Sequence, residues 1–472
     1  MLHSVRFTHV LLLTALLVGG ATAQTTAPPP SASAPAGADS PSTVLTALRS
    51  APDWRSADLT YRAAQLTLDS ARTRAGLSVS AGATGSLTKI PWDTGTWNGA
   101  ATVTLSAGWS VLPWSAAQEG VRSAQRALDS AAVTLRTARA TLTVQALQAY
   151  AAARSAAAQQ DLTAAQVALA TRQLVVAQDR RAQGVIAAEG ELAAQAALEQ
   201  AQVAQTRAAH AAAQAARSLA RLLGRPVTLP TTSAAYAALP TVSITGTLDE
   251  RIARALRSRP EVARARAALE DARAGVQAAQ LDASLPDVTA SAVYGQLSDA
   301  QGNPGKTVSG SVNLKAGTVG VQASVPVRDT SAVPSGLSLS LNATIPLLGS
   351  AAGTVLQQAQ LGLAQAQLAL DSASQAVDLD VRTRSEALED EQAALTAAQT
   401  ARAQAQAALD STRARVDAGL ATTLELGQAD LALQQAAQAL AAQQDAVTLA
   451  ALQLALATTD LDSTLLPTGG TP

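Results

Sequence analysis

His210 is the only histidine beyond the first 23 residues, and it lies on an alanine-rich helical face with no carboxylate pair beside it. The chain has no cysteine, and one histidine without cysteine does not make a usual metal site. Gly302-Asn303-Pro304-Gly305-Lys306-Thr307 carries the Lys-Thr of a phosphate loop. It lacks the four-residue gap between glycines and no helix follows, so an exposed turn is expected. Asn342-Ala343-Thr344 has the form of a glycosylation sequon but falls inside a strand-like run. Glu389-Asp390-Glu391 lies on a helical pattern and reads as a solvated face rather than acid–base machinery. No catalytic residue, cofactor or metal site follows, and the chain does not read as an enzyme. The acids that remain of interest are Glu189, Glu191 and Glu425, each a few residues past a glycine where a long helix turns back.

Those glycines, Gly184 and Gly419, belong to one unit that occurs twice. In the second copy Leu356, Leu363, Leu370 and Val377 recur every seven residues, with Ala359, Ala366 and Ala373 three places after the first three. That is a coiled-coil seam in which small alanines admit a close partner. The helix turns at Gly419-Leu420-Ala421 and returns through Leu424, Leu426, Leu431 and Leu433 toward Leu456. The first copy starts at Val111-Leu112-Pro113-Trp114, turns at Gly184-Val185-Ile186 and descends to Leu222-Leu223-Gly224. Pro113 to Gly184 is 71 residues and Pro346 to Gly419 is 73. Upstream, Ala51-Pro52-Asp53-Trp54 parallels Arg259-Pro260-Glu261-Val262, but the second copy carries about 25 additional residues before its hairpin. The chain is a tandem duplication with one expanded loop.

The sequence is 48% hydrophobic yet only 2% aromatic, which suits thin helix seams better than thick cores. Its 34 basic and 35 acidic residues give a net charge of -1. No basic face offers itself to a phosphate backbone, so no nucleic-acid partner is expected. Residues 1–23 look like a secretory signal, with Arg6, an apolar run from Val10 to Val18, and Ala21-Thr22-Ala23 before Gln24. Residues 24–41, rich in Thr, Pro, Ser and Ala, read as a disordered leader, and 460–472 as a disordered tail. No later stretch approaches a spanning helix, so entry into a membrane would need β-structure.

The first repeat, 42–224, opens with an amphipathic helix from Val44 to Arg74, after which the period changes to two. Strands are expected at about 76–88 and 99–111, followed by the long hairpin 115–224. Ala101, Val103, Leu105, Ala107, Trp109 and Val111 point one way, and Thr102, Thr104, Ser106, Gly108 and Ser110 the other. Residues 225–247, with Pro226, Pro230 and Pro240, link the repeats. The second repeat, 248–459, has its helix from Leu248 to about Leu285, strands at about 287–297 and 336–346, and the hairpin 350–459. Its added segment, about 306–327, reads as an extra β-hairpin that could join a barrel or lie outside it. The strand lengths fit a bilayer crossing. A soluble sheet fits the alternation too, but the flanking coiled-coil helices offer no core to cover it. Two half-length helices set end to end would match each long one.

These residues resemble the TolC-like outer-membrane efflux protein family over essentially the whole mature chain. The resemblance rests on Leu248, Arg259-Pro260-Glu261, the alanine-rich helix to Leu285-Pro286, and the strand ending Ile345-Pro346-Leu347-Leu348-Gly349. The two glycine tips and the Leu222-Leu223-Gly224 helix end complete it. It implies a homotrimer whose copies each give four strands to one twelve-stranded transmembrane β-barrel. It also implies a helical tunnel in the periplasm and passive export through the outer membrane, with an adaptor (membrane fusion) protein and an inner-membrane pump as partners. The docking tips would be Gly184, Val185, Ile186, Gly419, Leu420 and Ala421. The family's tip pattern, an acid six places after the glycine, fits Glu425. In the first copy Gly190 takes that place between Glu189 and Glu191, and the acid expected near Gln428 is absent. Glu425, Glu189 and Glu191 could form a gate ring that biases the closed end toward cations. They could equally be first-turn acids favoured by the helix dipole.

The fold class expected is mainly α with membrane β: a tandem-duplicated antiparallel coiled-coil helical barrel joined to a β-barrel shared by a homotrimer. The function expected is the exit duct of a tripartite efflux or type I secretion system, in contact with outer-membrane lipid. The alternative is a non-conducting coiled-coil spacer anchored in the outer envelope. The Ser/Thr/Gly strand face favours a channel, because a plugged anchor would have to fill its interior.

Overall fold

The computed structural model describes residues 36–37, 40–89, 91–297, 305–327, 333–344 and 352–461. The signal-like segment and the Ile345–Gly349 strand end lie outside the described residues. The first repeat contains α1 (Pro41–Leu48), α2 (Pro52–Ala75), β2 (Ser78–Lys89), β3 (Trp97–Ser110), α3 (Ala116–Ala182) and α4 (Ala188–Leu223). It is preceded by β1 (Ala36–Gly37) and followed by β4 (Val227–Thr228). The second contains α5 (Leu248–Ser258), α6 (Pro260–Ser284), β5 (Asp287–Gln296), β6 (Thr307–Asn313), β7 (Thr318–Pro326), β8 (Ser335–Thr344), α7 (Ala352–Asp417) and α8 (Thr423–Ala457).

The helices read as continuous from 44 to 74 and from 248 to 285 are each broken at a proline. Ala51 and Arg259 are extended, with ψ of 147° and 137°. Pro52 and Pro260 then occupy the first turn of the next helix, because the ring disfavours helical geometry in the residue before it. The leader reading also needs correction at its end. Ala36–Gly37 pairs in parallel with Val227–Thr228, and Ser40 caps α1 by accepting a bond from the Thr43 N–H. At the other end Asp460 pairs with Arg254 and Leu461 is buried, so these two residues are not disordered tail.

α3 has 67 residues and α7 has 66, so each is about 100 Å long at 1.5 Å per residue. α2 and α4 both pack along α3, and α6 and α8 along α7. α4 ends in left-handed Gly224 against Pro52, where a Cβ would collide with the proline ring. The two short helices thus meet end to end beside the long one. The same joint appears in both cores. In one, Trp54, Leu147, Tyr150, Leu219 and Leu452 pack together. In the other, Val262, Val377, Val381, Leu388 and Leu454 do so. Tyr150 donates to the Ala237 carbonyl at 3.0 Å, which fixes the linker to the first core. At the base of α3, burial works against ionisation of Glu119, but hydrogen bonds from Arg126 and Arg122 outweigh it and hold its carboxyl below the usual glutamate range. Arg126 also reaches Asp271 on α6, tying the repeats together.

Apart from the parallel pair β1–β4, the described strands form one antiparallel sheet in the order β2-β3-β7-β6-β5-β8. The structure therefore corrects the expectation of four strands per copy. The added hairpin β6–β7 is inserted between the two repeats' own hairpins. β3 is occupied on both edges, by β2 and β7, and β5 by β6 and β8. The register places apolar residues of all six strands in shared rows: Val79, Ala107, Val321, Gly310, Ala292 and Leu339 form one. Ser80, Ser106, Gln322, Ser309, Val293 and Ser338 form the adjacent row, on the opposite face because strand residues alternate. Val79, Val103, Leu105, Trp109, Val321, Leu339 and Leu341 are all exposed. No described helix is long and apolar enough to cross a membrane.

Candidate functional site

The two hairpin tips close by the same hydrogen-bonded motif. In the first, the Val185 N–H donates to the Arg180 carbonyl at 2.8 Å and the Gly184 N–H to the Arg181 carbonyl at 2.9 Å. In the second, Leu420 donates to Arg415 at 2.7 Å and Gly419 to Val416 at 2.9 Å. Both glycines have φ of +70°, the left-handed geometry that terminates helices in this motif. Each return helix begins four residues past its glycine, at Ala188 and Thr423. Val185 and Leu420 project into solvent, while Ile186 and Ala421 are half-buried.

The starts of the return helices differ. Thr422 caps α8 by accepting from the Glu425 N–H at 3.2 Å, whereas Ala187 gives α4 no side-chain cap. At the place where an acid was expected in the first tip, a Cβ on Gly190 would lie 3.2 Å from Ile186 Cδ1. A carboxylate there would require Ile186 to shift.

Two of the three candidate glutamates have cationic partners that reading the acids alone missed. Glu191 is ion-paired with Arg181, and Glu425 lies 4.0 Å from Arg415. Both arginines stand in the last turn before the glycine, where the helix dipole favours cations, while the glutamates stand where it favours anions. The signal was present as an Arg and a Glu ten residues apart across each glycine. Glu189 is exposed. Among the described residues no hydrogen bond or ion pair joins one tip to the other.

The repeats meet where α8 crosses α3. A Cβ on Gly427 would lie 3.2 Å from Leu169 Cδ1, so the helices touch closely there. Leu169 stands fifteen residues before Gly184 and Gly427 eight after Gly419.

The sequence profile described as outer membrane efflux protein matches residues 44–225 and 252–459. Among curated proteins none matches the sequence. Among solved structures, the outer membrane protein VceC of Vibrio cholerae superposes with a TM-score of 0.64 at 18% identity, covering 89% of this chain and 95% of that one. The CmeC outer membrane channel of Campylobacter jejuni gives 0.65 at 14% identity, over 88% and 84%. The open-state MtrE outer membrane channel of Neisseria gonorrhoeae gives 0.62 at 21% identity, over 88% of each. These likenesses establish the shared fold.

Proposed function

We propose that this chain, which belongs to the outer membrane efflux protein family, is the exit duct of a tripartite efflux or type I secretion system. Members of the family are not enzymes; they are outer-membrane channels with helical tunnels in the periplasm, working as trimers with adaptor proteins and inner-membrane pumps. The observation that carries the finer reading is the two-faced sheet joined directly to paired long hairpins. Its exposed aliphatic face has no protein core to cover it, which suits contact with lipid, and its other face offers Ser, Thr, Gly, Asn and Gln to water. A barrel shared by three copies gives both faces their solvent.

In this reading Gly184, Val185, Ile186, Gly419, Leu420 and Ala421 meet the periplasmic adaptor. Exposed Val185 and Leu420 supply apolar contact, and the left-handed glycines set the angle at which they are offered. Glu425, with Glu189 and Glu191, lines the narrow end. Because Arg415 and Arg181 offset two of these acids, the end biases ions weakly. Swelling of proteoliposomes in neutral sugars tests the duct. Solute entry at rates that fall with sugar size is expected. Proteoliposomes as tight as protein-free ones would leave only the anchored spacer.

A further inference from the structure

We propose that three copies close edge to edge, β8 of one against β2 of the next, into a barrel of eighteen strands rather than twelve. The inference rests on the trimeric channel reading and adds the strand number and the seam. Its first support is the placement of the added hairpin. β7 pairs along β3 from Thr102 to Ser110, and β6 along β5 from Thr289 to Gly295. A twelve-stranded barrel needs β3 to pair with β5, and neither has an edge left for it. Val308, Val312, Val319, Val321 and Val325 continue the apolar face of their neighbours, so the hairpin is patterned for the same two solvents.

The hairpin is also fastened at its turn. The Gly317 carbonyl accepts from the Val111 and Leu112 N–H groups at 3.0 and 3.2 Å, and Trp114 Nε1 donates to the Leu314 carbonyl at 3.1 Å. Lys315 pairs with Asp282 at 2.7 Å. One four-residue turn thus grips the start of the first long hairpin and the end of α6.

The second support lies on the two flanks of the chain. β2 and β8 are the sheet's edge strands, each with an open ladder. The helix leading into β2 is α2, and the helix following β8 is α7. On α2, Leu59 and Leu66 are 63% and 70% exposed; on α7, Leu361 and Leu368 are 65% and 69% exposed. Leu66 and Leu59 stand nine and sixteen residues from the sheet end of α2, and Leu361 and Leu368 stand nine and sixteen from the sheet end of α7. Both pairs therefore lie about 14 and 24 Å along their helices from the ends nearer the sheet. An α2 flank set against the α7 flank of the next copy buries all four leucines, with the open ladders in line above them. Strand directions alternate throughout the sheet, so β8 and β2 of adjoining copies meet antiparallel.

Barrel diameter grows roughly linearly with strand number. With strands about 4.8 Å apart and tilted about 40°, eighteen strands give a backbone diameter of about 36 Å, against about 24 Å for twelve. The polar face carries a single charged residue, Asp287, in the described strands. The wider bore suits bulky cargo and leaves charge selection to the helix tips.

Particle imaging of the full chain in lipid nanodiscs counts the strands directly, and eighteen in a barrel about 1.5 times the twelve-stranded width is expected. The native sequence has no cysteine, so two double variants read the contacts in membranes. Leu66→Cys with Leu361→Cys is expected to yield covalent dimers and trimers on oxidation. Thr104→Cys with Ser324→Cys is expected to yield a cross-linked peptide within one chain. A three-fold, twelve-stranded barrel without the Thr104–Ser324 cross-link would overturn the inference and leave the channel reading standing. Particles with no barrel at all would overturn both.

Discussion

Arg415 and Glu425 face each other at 4.0 Å across the turn at Gly419, and Arg181 and Glu191 make the equivalent pair across Gly184. Glu425 and Glu191 are therefore partly neutralised from within their own hairpins. Arg415→Ala is expected to raise cation preference, and Glu425→Ala to lower it. Reversal potentials under a tenfold salt gradient check this, since only an acid near the ion path responds. The effect on stability should stay within about 0.2–1 kcal/mol, as for exposed pairs generally.

Gly419 and Gly184 have open space where a Cβ would stand, so alanine there meets no clash, only the cost of left-handed geometry. Gly419→Ala should weaken the tip locally by about 1 kcal/mol. Hydrogen exchange at the Leu420 amide should quicken, with the body of α7 unchanged. Leu420→Asp leaves the turn intact and removes the exposed apolar contact. Pull-down of the cognate adaptor should fall at least tenfold for this variant, at unchanged single-channel conductance.

The Glu119 carboxyl is held below its ordinary range in the folded chain. A group with a depressed folded pKa contributes stability above its unfolded value that is lost as pH falls through the folded one. Glu119→Gln should therefore lower thermal stability at pH 7, by roughly 0.2–1 kcal/mol for a partly exposed network. The gap from the unmodified protein should narrow below the usual glutamate range. Melting curves at pH 7 and pH 3 give the comparison.

At Gly317, φ is +67° and a Cβ would stand 3.0 Å from Leu112 Cβ and 3.1 Å from Ser115 Cβ. Gly317→Ala combines left-handed strain of about 1–2 kcal/mol with crowding against the start of α3. Thermal unfolding in detergent should shift down by several degrees. Gly310→Ala, with open space around it, should leave the midpoint in place.

The helices and strands were legible in the sequence because their periods are local. The seam of Leu356, Leu363, Leu370 and Val377 is half-buried to buried, while Leu361 and Leu368 between them are exposed. β2 and β3 follow the alternation to within two residues. The pairings within the hairpins β2–β3 and β6–β7 were legible from the turns that join their runs, but a period of two fixes which face Val319 or Val308 takes and not which strand lies on the hairpin's other side. The added hairpin's place between β3 and β5 thus came only from the register. The tip arginines were missed because Arg181 and Glu191 are ten residues apart, beyond the three- and four-residue spacing at which charges meet on one helix. The helix breaks at Pro52 and Pro260 follow from proline alone, although the flanking amphipathic pattern masked them.

Planar-bilayer recording of the purified protein, with particle images of the same preparation, tests the channel reading most directly. Discrete conductance steps from three-fold particles whose helical part extends about 100 Å, the length of α3 and α7, are expected. Particles of that form without conductance, even after Gly419 or Glu425 is altered, would contradict a duct and leave a structural spacer.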